Sequence, residues 1–487
     1  MHLSSPVRLL GIDLGITSDH TAVVVDDAGS ICARRRARPT VASLTALEKA
    51  ALAAADPATH LVVVVEPTGP AWLPVAVFFG RRGHTVLRVS SAKAADLRRF
   101  LARHAKSNGI DAETLARLPL VAPSGLVPVE LGSPARASLD RRVRAVARLT
   151  ADIGRRKTRI RALAQQLIPT IPTALSDDGL NQTDLAVLER YADPRALLAA
   201  GPARLTRLIA TTSRGQLGQA KTQALRTAAA EAVTLWDGDS AAALDDVAAE
   251  IASEVRLVRA AEAERTRHQT ARDTAMARID PAGLAASLPG LGPVGAAQLV
   301  ATMGRPGRFP HAGAFKAFTG LTPRASETGQ TDRKHQPMTK AGPRALRSQL
   351  IQSADTARKL DPQLAAVYHA QMTQRGATHR KALCVVAARL AERAWLTLAR
   401  SEPYVICDLD GRPVTPEQAR RLIAERYTVT AEVRRRRRST KQAGKAPHMA
   451  LKAQGKSQHD AGHEATFPTT SLDTPPTLVN TSQATRA

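Results

Sequence analysis

Leu9-Leu10-Gly11-Ile12-Asp13-Leu14-Gly15-Ile16-Thr17-Ser18 leads into the apolar run 21–25. An apolar segment that ends in a carboxylate, turns on glycine and becomes apolar again reads as a β-hairpin holding one acid at its edge. Asp13 is that acid, and a candidate metal ligand. A second apolar strand, 61–65, stops at Glu66-Pro67-Thr68-Gly69, which again sets a carboxylate where a strand ends. A third acid, Asp111, follows in Lys106-Ser107-Asn108-Gly109-Ile110-Asp111-Ala112, at the start of a helix reaching Leu118. Each acid alone also reads as a turn, cap or solvent-facing residue. Taken in this order, they point to a divalent cation, because Mg²⁺ takes hard oxygen ligands and keeps waters and substrate phosphates.

Strands and helices alternate around these acids. A possible third strand spans 31–36, then a helix 44–54, the strand 61–65, a helix 71–82, a strand 84–89 and a helix 91–105. A three-stranded meander followed by helix and strand alternation is the order of an RNase H-like α/β domain, here over 1–125. From 134 to 280 the texture is all-α. Leu139, Val146, Ile153, Ile160 and Leu167 recur every seven residues, with Val143 and Leu163 at other core positions. That spacing predicts a coiled-coil helix of about 30 residues. A partner helix begins at Leu244, aligns Val247, Ile251, Val255 and Val258 on one face and ends near Met276, and 182–235 between them reads as a helical insertion. Arg155, Arg156, Lys157, Arg159 and Arg161 read equally as a solvated flank or a nucleic-acid face.

Leu288-Pro289-Gly290-Leu291-Gly292-Pro293-Val294-Gly295 has no strand before it, which counts against a dinucleotide site. It reads either as a helix-hairpin-helix turn, with Gly290, Gly292 and Gly295 opening backbone amides to a phosphate, or as a plain helix connection. The polar loop 318–330 carries Arg324, Ser326 and Thr328, and Lys334, Lys340, Arg344 and Arg347 follow. A hydroxyl beside cations can attack a phosphodiester once its proton is removed; by composition alone, such hydroxyls form turns. Helices are expected over 341–359, 362–375 and 379–400. The segment 281–405 is followed by an extension, 406–432, and a tail, 433–487, expected to be disordered and opening with five arginines.

Composition narrows the partner. The chain of 487 residues carries 69 Lys and Arg against 43 Asp and Glu, a net charge of +26, with a pI of about 11.0. Ten Lys or Arg and three Asp or Glu lie from 433 onward, so about +19 stays on the body. That excess is the footprint of a polyanion partner. Aromatics make up only 3%, which argues against base stacking as the main contact. Cys32, Cys384 and Cys407 are scattered, so neither a disulfide framework nor a zinc site is expected. No run of about twenty apolar residues and no signal-peptide pattern is present, giving the expectation of a cytoplasmic, nucleoid-associated protein with no membrane partner.

Together, Gly11-Ile12-Asp13, Glu66-Pro67-Thr68-Gly69, 106–112, Leu288-Pro289-Gly290-Leu291-Gly292, Gly320-Leu321-Thr322-Pro323-Arg324 and Thr339-Lys340-Ala341-Gly342 resemble the IS110/IS1111 family of bacterial insertion-sequence transposases. The resemblance covers residues 8–400. It implies a RuvC-like N-terminal domain with an Asp-Glu-Asp-Asp site for Mg²⁺, a coiled-coil linker and a C-terminal transposase domain with a nucleophilic serine. It also implies recombination of DNA directed by a structured, element-encoded guide RNA, in a homo-oligomer, dimer or tetramer. Two positions depart from the family pattern. Asn108 stands where its third acid belongs, and Thr328 where its serine precedes glycine, with Ser326 two residues earlier. A catalytically impaired nucleic-acid binder is therefore an alternative. An actin-fold ATPase or kinase is another, since Gly11-Ile12-Asp13-Leu14-Gly15-Ile16-Thr17 also resembles that superfamily's first phosphate loop.

Overall fold

The structure, a computed structural model, describes residues 6–66, 69–89, 91–101, 107–123, 126–129, 133–176, 179–236, 244–324, 327–328, 331–332 and 336–437. The chain divides into two compact units, 1–138 and 139–487.

The first unit is built on a six-stranded sheet. Its elements are β1 (Val7–Asp13), β2 (His20–Val25), β3 (Ile31–Ala37), α1 (Val41–Leu52), β4 (His60–Val65), α2 (Trp72–Arg81), β5 (Thr85–Arg88), α3 (Ser91–Leu101), α4 (Asn108–Val121) and β6 (Val127–Pro128). The spatial order is β3-β2-β1-β4-β5-β6. β1 pairs antiparallel with β2 and parallel with β4. The expected meander and alternation are both present, with the helix expected over 91–105 described only to Leu101.

Strand alternation sorts the side chains into two layers. Leu10, Ile12, Val24, Val63 and Val65 pack with Leu44 and Leu47 of α1 and Val75 and Phe79 of α2. Leu9, Val23, Val62, Val64 and Leu87 face Ala94 and Leu97 of α3 and Ala112, Leu115 and Ala116 of α4. A central strand buried on both faces has to be apolar without alternation, which is why Leu61 to Val65 is a continuous run. At Gly11 the α4 backbone lies directly on β1. A Cβ there would overlap the Ala112 carbonyl oxygen and the Ala116 amide.

The second unit is helical. α5 (Pro134–Leu167) is followed by α6 (Gln182–Tyr191), α7 (Pro194–Ala199), α8 (Pro202–Thr212), α9 (Gln219–Leu235) and α10 (Leu244–Ile279). All five heptad residues of α5 are buried. Ile153, Ile160 and Leu167 share a core with Ile251, Val255 and Val258 of α10 and with the insertion helices α6–α9. The bases 155–161 of α5 all find partners within the molecule. Arg155 and Arg156 donate to Asp152, and Arg156 also reaches Glu254 at 2.7 Å. Lys157 meets the Leu180 carbonyl and Glu262, Arg159 meets Glu250, and Arg161 donates to the Ser176 carbonyl. These pairs fit the solvated-flank reading, with Arg155 and Arg159 still largely exposed.

Then come α11 (Leu284–Ser287), α12 (Pro293–Met303), α13 (Ala312–Thr319), β7 (Glu327–Thr328), β8 (Thr331–Asp332), α14 (Arg344–Ala357), α15 (Pro362–Thr373), α16 (His379–Arg400), α17 (Pro416–Arg426) and α18 (Ala431–Arg436). α16 is the axis of this core, burying Val386, Ala387, Leu390, Ala391 and Ala394 among Phe315, Leu346, Leu350 and Leu364. The extension is tied down by a polar network. Fully buried Asp361 accepts from Leu364 N at 2.8 Å, Arg393 Nη1 at 3.0 Å and the Tyr404 hydroxyl at 2.6 Å. Burial and the facing Asp361 push the Tyr404 hydroxyl far above its ordinary pKa. The start of the tail expected to be disordered is helical instead, as α18, because Val429 and Val433 pack into the core. The remainder, 438–487, lies outside the described residues.

Candidate active site

Backbone geometry carries the three acids to one end of one sheet face. The β1–β4 register pairs Ile12 with Val65, so Asp13 and Glu66 follow each other at the C-terminal ends of neighbouring parallel strands. By alternation both belong to the face that Leu9, Gly11, Val62 and Val64 turn toward α4. Asp111 precedes Ala112, the residue whose carbonyl meets Gly11, so it too lies over this end of β1. Ser107 caps α4, its hydroxyl accepting from Ile110 N at 3.3 Å. Asn108 and Asp111, three apart on the helix, share a face in its first turn.

The side chains do not close into a ligand shell. Among the described residues, no three His, Cys, Asp or Glu side chains are gathered as a metal site. Asp111 is engaged by Arg98 of α3, whose Nη1 donates to Oδ1 at 3.1 Å. Nothing in the sequence singled out Arg98 from the other arginines. His20, also missed, is buried at the start of β2, and burial lowers its pKa despite the nearby charge of Asp19. In donor chemistry the set fits a hard divalent ion: carboxylates at two strand ends and one helix start, with an amide oxygen beside them, although the Arg98 guanidinium already holds Asp111.

The second-unit loop is a hairpin with a tight base. Arg324 N donates to Pro337 O at 3.0 Å, Thr339 N to Thr322 O at 2.9 Å and Lys340 N to Gly320 O at 3.2 Å. Arg347 Nη1 clamps the base by donating to the carbonyls of Thr319 at 3.2 Å, Lys340 at 3.2 Å and Gly342 at 3.4 Å. It is therefore a scaffold residue for the loop rather than a cation wholly open to phosphate. Gly320 ends α13 at φ +72, and a Cβ there would sit 2.9 Å from Arg347 Nη1. Further out, β7 pairs with β8, matching Thr328 with Thr331. Ser326 and Lys334 lie outside the described residues, whereas Arg324, Lys340 and Arg344 are exposed.

The glycine turn divides by role. Gly290, at φ +76, has its Cα side pressed on α14, where a Cβ would lie 2.9 Å from Ala357 N. Gly295 is likewise closed in, with Gln349 Nε2 at 3.0 Å. These two are packing glycines; Gly292, with open space around it, caps α12 at an exposed N-terminus.

Three comparisons fit this geometry. A transposase family model of the IS110 DEDD type matches 10–169, the stretch holding the sheet and its acids. The model of the transposase IS116/IS110/IS902 family matches 282–369, from α11 through the loop to α15. A 43.6 kDa protein of insertion element IS110 from Streptomyces coelicolor is 27% identical over 384 residues, 77% of this chain and 89% of the relative. Transposase family membership also displaces the actin-fold reading. An acid-lined RNase H-like sheet and a loop-bearing helical domain, each matched by its own model in the family's order, show that the chain belongs to the IS110 family of transposases.

Proposed function

We propose that this transposase cuts and rejoins DNA at element ends and target, directed by a structured guide RNA, through a covalent protein–DNA intermediate. What supports the reading is that Asp13 and Glu66 follow one another at the ends of neighbouring parallel strands and Asp111 stands in the first turn of the helix packed on β1, within the segment matched by the DEDD-type transposase model. Asp13, Glu66 and Asp111, with the Asn108 carbonyl oxygen, would hold Mg²⁺. When bound, that ion supplies positive charge against the scissile phosphate. The hydroxyl of Thr328 or Ser326 attacks phosphorus. A protein–O–P bond forms as the P–O bond to one deoxyribose breaks; the hydroxyl proton leaves and the released sugar oxygen is protonated. The ester keeps the bond energy, so a sugar hydroxyl from another strand can reverse the step and rejoin DNA.

The test incubates the chain with guide RNA, Mg²⁺ and element-end DNA and looks for a denaturant-stable adduct, absent in Thr328→Ala or Ser326→Ala. Exchange of DNA without any adduct overturns the nucleophile scheme. Asn108 and Thr328 favour a second reading, a catalytically impaired DNA binder. Activity that emerges only in Asn108→Asp with Thr328→Ser would establish it.

A further inference from the structure

Arg156, Lys157 and Arg159 of α5 meet acids within the molecule, whereas a group of cations around the first turns of α16 has no such pairs among the described residues. The side chains of Lys340, Arg375, Arg380, Lys381, Arg434 and Arg435 are exposed, and none has an ion pair or hydrogen bond among the described residues. α18 brings its arginines to this corner. Val433 packs on the core, Arg437 O accepts from His379 N at 3.4 Å, and the Arg437 guanidinium lies against Gly376, 3.2 Å from where a Cβ would stand. Arg436 is answered by Glu432, and Arg434 and Arg435 have no ion-pair partner among the described residues.

The corner joins up across elements. The Tyr368 hydroxyl and His379 Nδ1 are 2.8 Å apart, and Arg358 lies over the Tyr368 ring at 4.1 Å. Burial lowers the His379 pKa, and Arg358, Lys359 and Arg434 lower it further against Asp355. Lys340, at the loop base, and Arg380 are both near enough to Cys384 to oppose the rise that burial causes in its thiol. Asp355 pairs with Arg358 and Lys359. Among the described residues, no acid is paired with the six exposed cations of this corner.

We propose that this corner, α18 with the start of α16 and Lys340, is a docking surface for the phosphate backbone of DNA leading away from the hydroxyl-bearing loop. This rests on reading the chain as a DNA-joining transposase. Phosphates suit it because guanidinium forks take phosphate oxygens bidentately and an aromatic-poor surface offers no base stacking. The surface lies largely beyond the segment matched by the C-terminal family model, which ends at 369.

The experiment measures binding of labelled duplex DNA by the full chain across a salt series, with a hairpin RNA as a second arm. The quadruple variant Arg380→Gln, Lys381→Gln, Arg434→Gln, Arg435→Gln should flatten the log–log salt slope by about 0.9 for each phosphate it no longer neutralises, roughly eightfold in affinity apiece at about 0.1 M salt. Arg→Lys at 434 and 435 should retain the steep slope, and Arg155→Gln, whose partner is Asp152, should leave it unchanged. A circular-dichroism melt unchanged from the parent confirms the fold. An unaltered DNA slope in the folded quadruple variant overturns the proposal while leaving the transposase reading intact, and a loss confined to RNA overturns its assignment to DNA. If the parent chain itself binds no duplex DNA, the underlying reading falls with it.

Discussion

At Gly11 one missing methyl group decides how close a helix can come to a strand. A side chain there would collide with α4 backbone, not with a flexible tip, so neither partner can yield cheaply. Gly11→Val should destabilise the first unit by about 1–3 kcal/mol or prevent its folding, the range expected of overpacking. A chemical-denaturation midpoint equal to the parent's would show that α4 can retreat. Asn108 sets the charge of the candidate ligand set. Asn108→Asp should tighten Mg²⁺ binding in calorimetry, since a carboxylate replaces a neutral amide beside Asp111. Equal affinity would place position 108 outside that set. Arg98 works against any ion there, as its guanidinium already occupies Asp111.

Elements turn such residues into cooperative features. The heptad positions of α5 serve two cores, Leu139 packing with α11–α16 and Ile153, Ile160 and Leu167 with α10 and the insertion. Ile160 is fully buried in that core. Ile160→Ala should therefore cost about 2–5 kcal/mol in urea unfolding, as cavity-forming substitutions do. Where the β4–β5 pairing begins, side chains carry on the hydrogen bonding. Thr85 N donates to His60 Nε2 at 2.9 Å and Leu61 N to His84 Nδ1 at 3.4 Å, so His84 presents Nε2–H to Glu48 at 3.0 Å. Burial, with His84 nearby, lowers the His60 pKa, and burial lowers that of His20. Burial would raise Glu48, but hydrogen bonds from Arg82 and His84 outweigh it and its pKa falls. The unfolded chain thus binds these protons more readily than the folded one. The histidine contribution is present above the ordinary imidazole pKa and is lost as pH falls below it; the Glu48 contribution is lost lower, through its depressed folded value. The urea midpoint should fall between pH 7.5 and pH 5.5, as tracked by fluorescence, and a flat profile would refute the assignment. In the loop, Arg347→Ala should reduce adduct yield through a slackened base while leaving the DNA salt slope nearly unchanged.

For the whole molecule, charge is the property the sequence states most directly and locates least. A net +26 predicts steep salt dependence of DNA affinity, yet only the fold separates arginines that answer Asp152 or Glu254 from those left facing solvent. No helix of the described residues is long and apolar enough to cross a membrane. The strand order, the long paired helices and the positions of Asp13, Glu66 and Asp111 were legible because periodicity and strand-end acids are local signals. The roles of Gly290 and Gly295 were not, because a glycine needed for a phosphate and one needed for a neighbouring helix share the same letters. From sequence Arg347 reads as a nucleic-acid contact, since its three carbonyl partners lie on a loop base that only folding closes. Likewise the arginines of α18 read as tail, because arginine runs suggest disorder until Val429 and Val433 find a core. By itself the sequence determined the sheet, the helix period and the family, all of which depend on residue type at short or fixed spacing. Tertiary structure alone decided which charges remain unpaired and which carboxylate already has a guanidinium, because pairing depends on distances across elements far apart in the chain.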